Sequence, residues 1–337
     1  MMRTGWWILI VAAALTACST VGPELNPGDT PLIQAVQRGD SKAVLHLLAT
    51  DKTGISESSP ESLLSTAFRT GKGEMDVVNA LLAAGAVVGE DEVRMATYSC
   101  YPQYLQAALG AGGRVPRGSS AEKGSIFAEF AYADDELRDG NGRDCVACAK
   151  ILLAAGARID AGDVSPLHYA VCGDKPALAR YFLNMGMDVN ARDSQGDTPL
   201  MYHVKSTDMV QLLLTAGADV QTQNKEGNNA AMNNQLSTEV VAALLRAGLN
   251  PNQINNKGET VLMYHLNHPR LVTGTYYDES NNITGTWSSD SLDMELVQLL
   301  IDAGADANRP DNTGRTPLQA ARNHPEVCKQ LRRAGAK

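Results

Sequence analysis

Two identical Leu-Met-Tyr-His stretches carry the first side chains with the means for chemistry: His203 follows Tyr202, His265 follows Tyr264, and Asn234 lies midway at steps of 31 residues. Imidazoles in a row can ligate a metal ion or pass a proton as acid and base. Distance decides against both. If each step advances the chain by one layer of packed helices, roughly 10 Å, His203 and His265 stand about 20 Å apart and cannot share an ion. A hydrogen-bonded polar ladder through Asn234 is the reading that remains.

Cysteine is the second candidate. Cys18 aside, the chain holds Cys100, Cys145, Cys148, Cys172 and Cys328, an odd number that leaves at least one thiol over. Cys145-Val146-Ala147-Cys148 has Cys-x-x-Cys spacing, yet it precedes an apolar helical stripe and lacks the βαβ pattern that surrounds a redox motif of the thioredoxin kind. A structural bridge from Cys145 or Cys148 to Cys100 or Cys172, in the segments on either side, is the stronger expectation. No second close Cys or His pair completes a zinc site. The sequence also has no phosphate-cradling glycine loop, no nucleophile elbow and no His-Glu-x-x-His segment, so neither a catalytic residue nor a cofactor is expected.

The elements that position these residues repeat. A glycine follows a Leu-Leu-like pair at Gly85, Gly112, Gly156, Gly186, Gly217, Gly248, Gly304 and Gly335, with gaps of 27, 44, 30, 31, 31, 56 and 31 residues. The two long gaps reduce to one unit each if about 13 residues are inserted near 132–144 and about 25 near 267–293. Thr30-Pro31-Leu32, Ser165-Pro166-Leu167-His168, Thr198-Pro199-Leu200 and Thr316-Pro317-Leu318 place a hydroxyl at an N-cap and proline at the first helical position, which predicts a helix start at each. Apolar stripes at spacings of three and four follow, as in Val210-Leu213-Leu214, Val241-Leu244-Leu245 and Leu296-Leu299-Leu300. Between Ser58 and Gly156 the Thr-Pro start is missing, and the repeat count there stays open.

These residues resemble the ankyrin repeat: a Thr-Pro-Leu-His start, an inner helix, a Leu-Leu outer helix, and an Asp-Val-Asn-like exit at Asp188-Val189-Asn190 and Asp306-Ala307-Asn308. The resemblance implies an all-α ankyrin-repeat solenoid over residues 28–337, in about nine repeats joined by hairpin fingers. His203, Asn234 and His265 fall where such repeats usually have alanine.

The N-terminus reads as an address. Arg3, an apolar run from Trp6 to Leu15 and Leu15-Thr16-Ala17-Cys18 make a secretory leader whose apolar part is too short to span ~30 Å of hydrocarbon. Leu-Thr-Ala-Cys resembles the bacterial lipobox, which implies a signal peptide over 1–17 and lipid on Cys18. A polar tether over 18–27 follows. Ser19 after the lipidated cysteine resembles an outer-membrane sorting signal, so the folded part is expected to be anchored to the outer membrane and to face the periplasm.

The net charge of −9, one unit more negative without Arg3, disfavours nucleic acid, because the basic residues are dispersed. It favours a basic protein partner. Insertions in a repeat array are often binding elements. Val272–Tyr277 and Asn282–Trp287 read as a β-hairpin displaying Tyr276, Tyr277 and Trp287, aromatics that serve either as binding anchors or to pack on the solenoid. The acidic insertion with Asp134, Asp135, Glu136, Asp139 and Asp144 is either a solvated loop or a contact for a basic partner. The expected binding surface joins the hairpin to the fingers: Arg192, Asp193, Ser194, Gln195, Asn224, Lys225, Glu226, Asn256 and Lys257.

Ankyrin lipoproteins of the bacterial envelope resemble two groups. One is immunity proteins that neutralise a secreted antibacterial effector, phospholipase-like and delivered by type VI secretion. The other is periplasmic scaffolds that stabilise a resident enzyme such as a catalase. Two unlike insertions and repeats with degraded consensus favour the first.

Overall fold

The computed structural model describes residues 30–50, 63–70, 75–115, 125–132, 144–159, 164–202, 204–277 and 283–337. The leader, Cys18, the tether, His203 and the interior of the acidic insertion lie outside the described residues. The chain divides into two compact units, Met1–Arg114 and Val115–Lys337.

The first unit contains helices α1 (Pro31–Arg38), α2 (Ser41–Thr50), α3 (Leu63–Thr70), α4 (Met75–Ala83), α5 (Glu90–Tyr98) and α6 (Pro102–Gly110). Thr30 starts α1 as expected, its hydroxyl accepting from Ile33 N at 3.3 Å. Where the Thr-Pro signal is absent, other devices start helices. The Gly89 amide donates to Glu92 Oε2 at 2.7 Å ahead of α5, and Pro102 sits in the first turn of α6. Phe68 and Tyr104 fill the core with their ring centroids 5.4 Å apart.

The second unit opens with a 3-10 turn, Ile126–Ala128, that runs into α7 (Glu129–Tyr132); α8 (Cys145–Ala154) follows the insertion. Next come α9 (Pro166–Cys172) with α10 (Pro176–Asn184), a 3-10 turn Pro199–Met201 with α11 (Thr207–Thr215), and α12 (Thr238–Arg246). Then α13 (Val261–Asn267) leads into strands β1 (Arg270–Tyr277) and β2 (Ile283–Ser291), which return to α14 (Met294–Asp302) before α15 (Pro317–Ala320) and α16 (Pro325–Arg333). Where both helices form and a short turn joins them, as in α9 with α10 and α15 with α16, inner and outer helix run antiparallel. Outer helices pack in series, α11 on α12, α12 on α14 and α14 on α16, burying Leu213, Val241, Leu244 and Leu300. One unit could not hide its apolar face alone.

A polar clamp joins successive repeats behind each outer helix. Asn190 Nδ2 donates to Gly217 O (3.1 Å) and its Oδ1 accepts from Asp219 N (2.8 Å). Gln221 and Gly248, Asn252 and Gly304, and Asn308 and Gly335 repeat the donor half of that pattern. The clamped glycine carbonyls belong to helix C-termini, which have no acceptor role inside their own helix.

Two expected inner helices are not regular. At Thr198 only the three-residue 3-10 turn forms, because the backbone leaves helical angles at Tyr202 (φ −92°, ψ 80°), whose ring packs edge-to-face on His168 with centroids 4.9 Å apart. Ahead of α12 there is no helix at all. Asn229 Oδ1 accepts from Ala231 N at 3.1 Å and Asn233 Oδ1 from Gln235 N at 2.9 Å, local bonds that compete with the helical ladder. Ala230, Ala231, Met232 and Leu236 still pack into the core. The chain unwinds without leaving its layer.

Candidate functional site

Each repeat has two ends. Fingers lead into inner helices and collect outer-helix C-termini at one end; the turns between inner and outer helices lie at the other. The structure places Arg192, Asp193, Ser194, Gln195, Asn224, Lys225, Glu226, Asn256 and Lys257 at the finger end, whereas the hairpin of Tyr276, Tyr277 and Trp287 grows from the turn between α13 and α14.

The finger end is a sequence of locked turns. Asp193 Oδ1 accepts from Gln195 N and Asp197 N, both at 2.8 Å; Asn224 and Asn255 repeat the bonds, and so does Asp311. Backbone bonds then stitch neighbours together: Lys225 N to Gln195 O (3.0 Å), Asn256 N to Glu226 O (2.9 Å) and Asn312 N to Lys257 O (2.9 Å). Side chains named as partner contacts serve the same ladder. Arg192 donates to Gln223 O, Lys225 Nζ to Ser194 O at 2.7 Å, and Asn256 Nδ2 to Lys225 O at 2.8 Å. Gly258, at φ +75°, is required where the fingers meet, since a Cβ there would sit 2.9 Å from Asn312 N. The finger Asp311–Arg315 was not among the expected contacts, although Asp/Asn-x-x-Gly at 193, 224, 255 and 311 is a legible repeat.

His168 and His265 make structural contacts within the repeat array. His168 is fully buried, with Nδ1 2.8 Å from Ser165 Oγ and Nε2 3.1 Å from Asp197 O. The Ser165 hydroxyl therefore serves this ring and makes no N-cap bond. Burial holds His168 below its ordinary value, with the neighbouring backbone carbonyls and Asp193 opposing. His265 Nε2 lies 2.9 Å from Ala231 O. In a helix that carbonyl would take Gln235 N, which has gone to Asn233 instead, so the histidine replaces the lost donor.

Cys100 and Cys145 are disulfide-bonded, whereas Cys148, Cys172 and Cys328 are free. Cys145-x-x-Cys148 is therefore not closed on itself. Burial, reinforced by Asp144, pushes the Cys148 thiol up to about 12, so it carries almost no thiolate near neutrality. Among the described residues no group of three His, Cys, Asp or Glu side chains could hold a metal ion, and no helix is long and apolar enough to cross a membrane.

At the turn end, β1 and β2 pair antiparallel, with Gly274 opposite Trp287 and Tyr276 opposite Gly285, and a bulge between Tyr276 and Tyr277. The acidic insertion occupies the equivalent turn between α7 and α8. Both insertions thus interrupt the same kind of link. At the root of the hairpin a notch opens to solvent, lined by Asn234, His265, His268, Asp293, Leu296 and Val297.

These features define a helical-repeat scaffold for contact with another macromolecule. The family model for ankyrin repeats, in three copies, matches residues 140–224. An ankyrin repeat protein of Acanthamoeba polyphaga mimivirus is 35% identical over 86 residues, which is 23% of this chain and only 12% of that protein's length. The crystal structure of the human ASB11 ankyrin repeat domain superposes with a TM-score of 0.51 at 22% identity, over 66% of this chain and all of that one. An ankyrin repeat domain from Acinetobacter baumannii AYE gives a TM-score of 0.43 at 29% identity, over 63% and 98% of the two chains. The fold is an all-α ankyrin-repeat solenoid with a hairpin insertion, and it implies a protein-binding role; such repeats are typically non-catalytic interaction modules.

Proposed function

We propose that this chain is a lipid-anchored envelope protein that captures and neutralises a secreted antibacterial effector, phospholipase-like and delivered by type VI secretion, on the periplasmic side of the outer membrane. The observation that carries the reading is the pair of unlike insertions, 132–144 and 267–293, set into equivalent turns of the repeat array. A scaffold needs neither; a surface fitted to one partner is built from such loops. The net charge of −9 would steer a basic partner inward, and lipid on Cys18 would hold the binder near the membrane the effector attacks.

Capture of proteins from the producing organism's envelope and secreted fractions on the immobilised full chain, identified by mass spectrometry, tests the reading. A toxin-like hydrolase whose lethality is relieved by co-expression of this chain supports it. Recovery of a resident enzyme with no toxicity replaces it by the scaffold reading.

A further inference from the structure

The hairpin is a sheet of two strands, and two strands are too few to be stable by themselves. A third strand or a helix laid against the pair normally supplies the rest. Among the described residues no helix runs along either strand. In an antiparallel pair every second residue bonds across the ladder, and the residues between turn their N–H and C=O groups to the outer edge. Each strand therefore carries an open row of backbone donors and acceptors.

The two edges are not alike. Natural sheets blunt an open edge with proline, charge, a bulge or a short strand. On β2 the ladder passes from Gly285 to Ile283 and leaves Thr284 over, so the bulge bends that strand, and Asp290 charges its other end. On β1 residues 271–277 contain no proline, no charge and no extra residue, and they are rich in β-branched and aromatic types. The edge of β1 is left fit for pairing.

We propose that the outer edge of β1 receives an extended segment of the captured protein as a third strand, a step that rests on the capture reading above. Charge selects this occupant over a second copy of the chain. A copy would set one net charge of −9 against another, and β1 runs directly into Asp278 and Glu279, whereas a basic segment is drawn to both. The register describes the segment further. Val272, Gly274 and Tyr276 share a face with Trp287, and Thr273 and Thr275 share the other with Thr286 and Ser288. A strand that continues this sheet alternates apolar residues with polar or basic ones.

Hydrogen exchange at single-residue resolution on the full chain, alone and bound to the protein it captures, tests the edge. In the free chain every second amide of 271–277 should exchange about tenfold faster than its neighbours, and binding should slow that set about tenfold while residues 283–289 stay unchanged. Full protection of 271–277 in the free chain, slowing spread over consecutive residues, or slowing at 283–289 instead overturns strand pairing. Slowing produced by concentrating the chain alone assigns the edge to a second copy and overturns the choice of occupant. Thr273→Lys with Thr275→Lys should weaken binding of the captured protein about tenfold. Thr286→Lys with Ser288→Lys, equal in charge and on the same face of the other strand, should cost about threefold or less. Equal losses overturn the proposal. A resident enzyme paired along β1 would sink the effector reading and leave the edge standing; a toxin bound with 271–277 unchanged would do the reverse.

Discussion

The two ends of the second unit's repeats are made of similar residues and do different work. At the finger end Asp, Asn, Arg and Lys side chains bond within their own finger or to the neighbouring one, so polarity there shapes the turns and holds the array in register. At the turn end the links are free to accept insertions, an inner helix can be lost, and acidic groups begin the outer helices. Exposed polar residues are therefore a poor guide to function in a repeat protein. What matters is whether their partners lie in the next repeat.

The contrast can be broken at the fingers first. Gly258→Val forces a branched side chain onto φ +75° and against Asn312 N, and should cost roughly 2–3 kcal/mol, read as a lower urea midpoint. Tyr276→Ala with Trp287→Ala should instead leave that midpoint nearly unchanged while weakening partner affinity by about 2 kcal/mol, read by titration calorimetry. Unchanged affinity would make the hairpin purely structural.

A pH scan sharpens the comparison. Burial depresses the folded His168 pKa below its ordinary value of 6.5, so the unfolded chain binds the proton first as pH falls. Stability should decline below about pH 6.5 with a contribution that His168→Gln removes, and be flat in this respect above it. The smallest effect is expected for Ser194→Ala, whose side chain tips an exposed turn: less than about 0.5 kcal/mol on stability.

Much of the fold was legible because its signals are local. Thr30 and Thr316 cap the helices they precede, and Gly217, Gly248 and Gly304 end the outer helices with positive φ. The inner helix missing ahead of α12 was not legible, since Ala230-Ala231-Met232 favours a helix and only the side-chain bonds of Asn229 and Asn233 turn the balance. Finger residues could be named from their positions, but the commitment of Arg192 and Lys225 to carbonyls 31 residues away depends on how repeats stack. Cys-x-x-Cys spacing likewise said nothing about which sulfur is oxidised; Cys145 is and Cys148 is not.

Partners are expected to be held at the turn end. Hydrogen–deuterium exchange of the full chain, free and saturated with the captured protein, tests it most directly. Protection is predicted at 233–237, 264–270 and 291–297, with the fingers around 193–197, 224–228 and 255–259 unchanged. Protection confined to those fingers would contradict it.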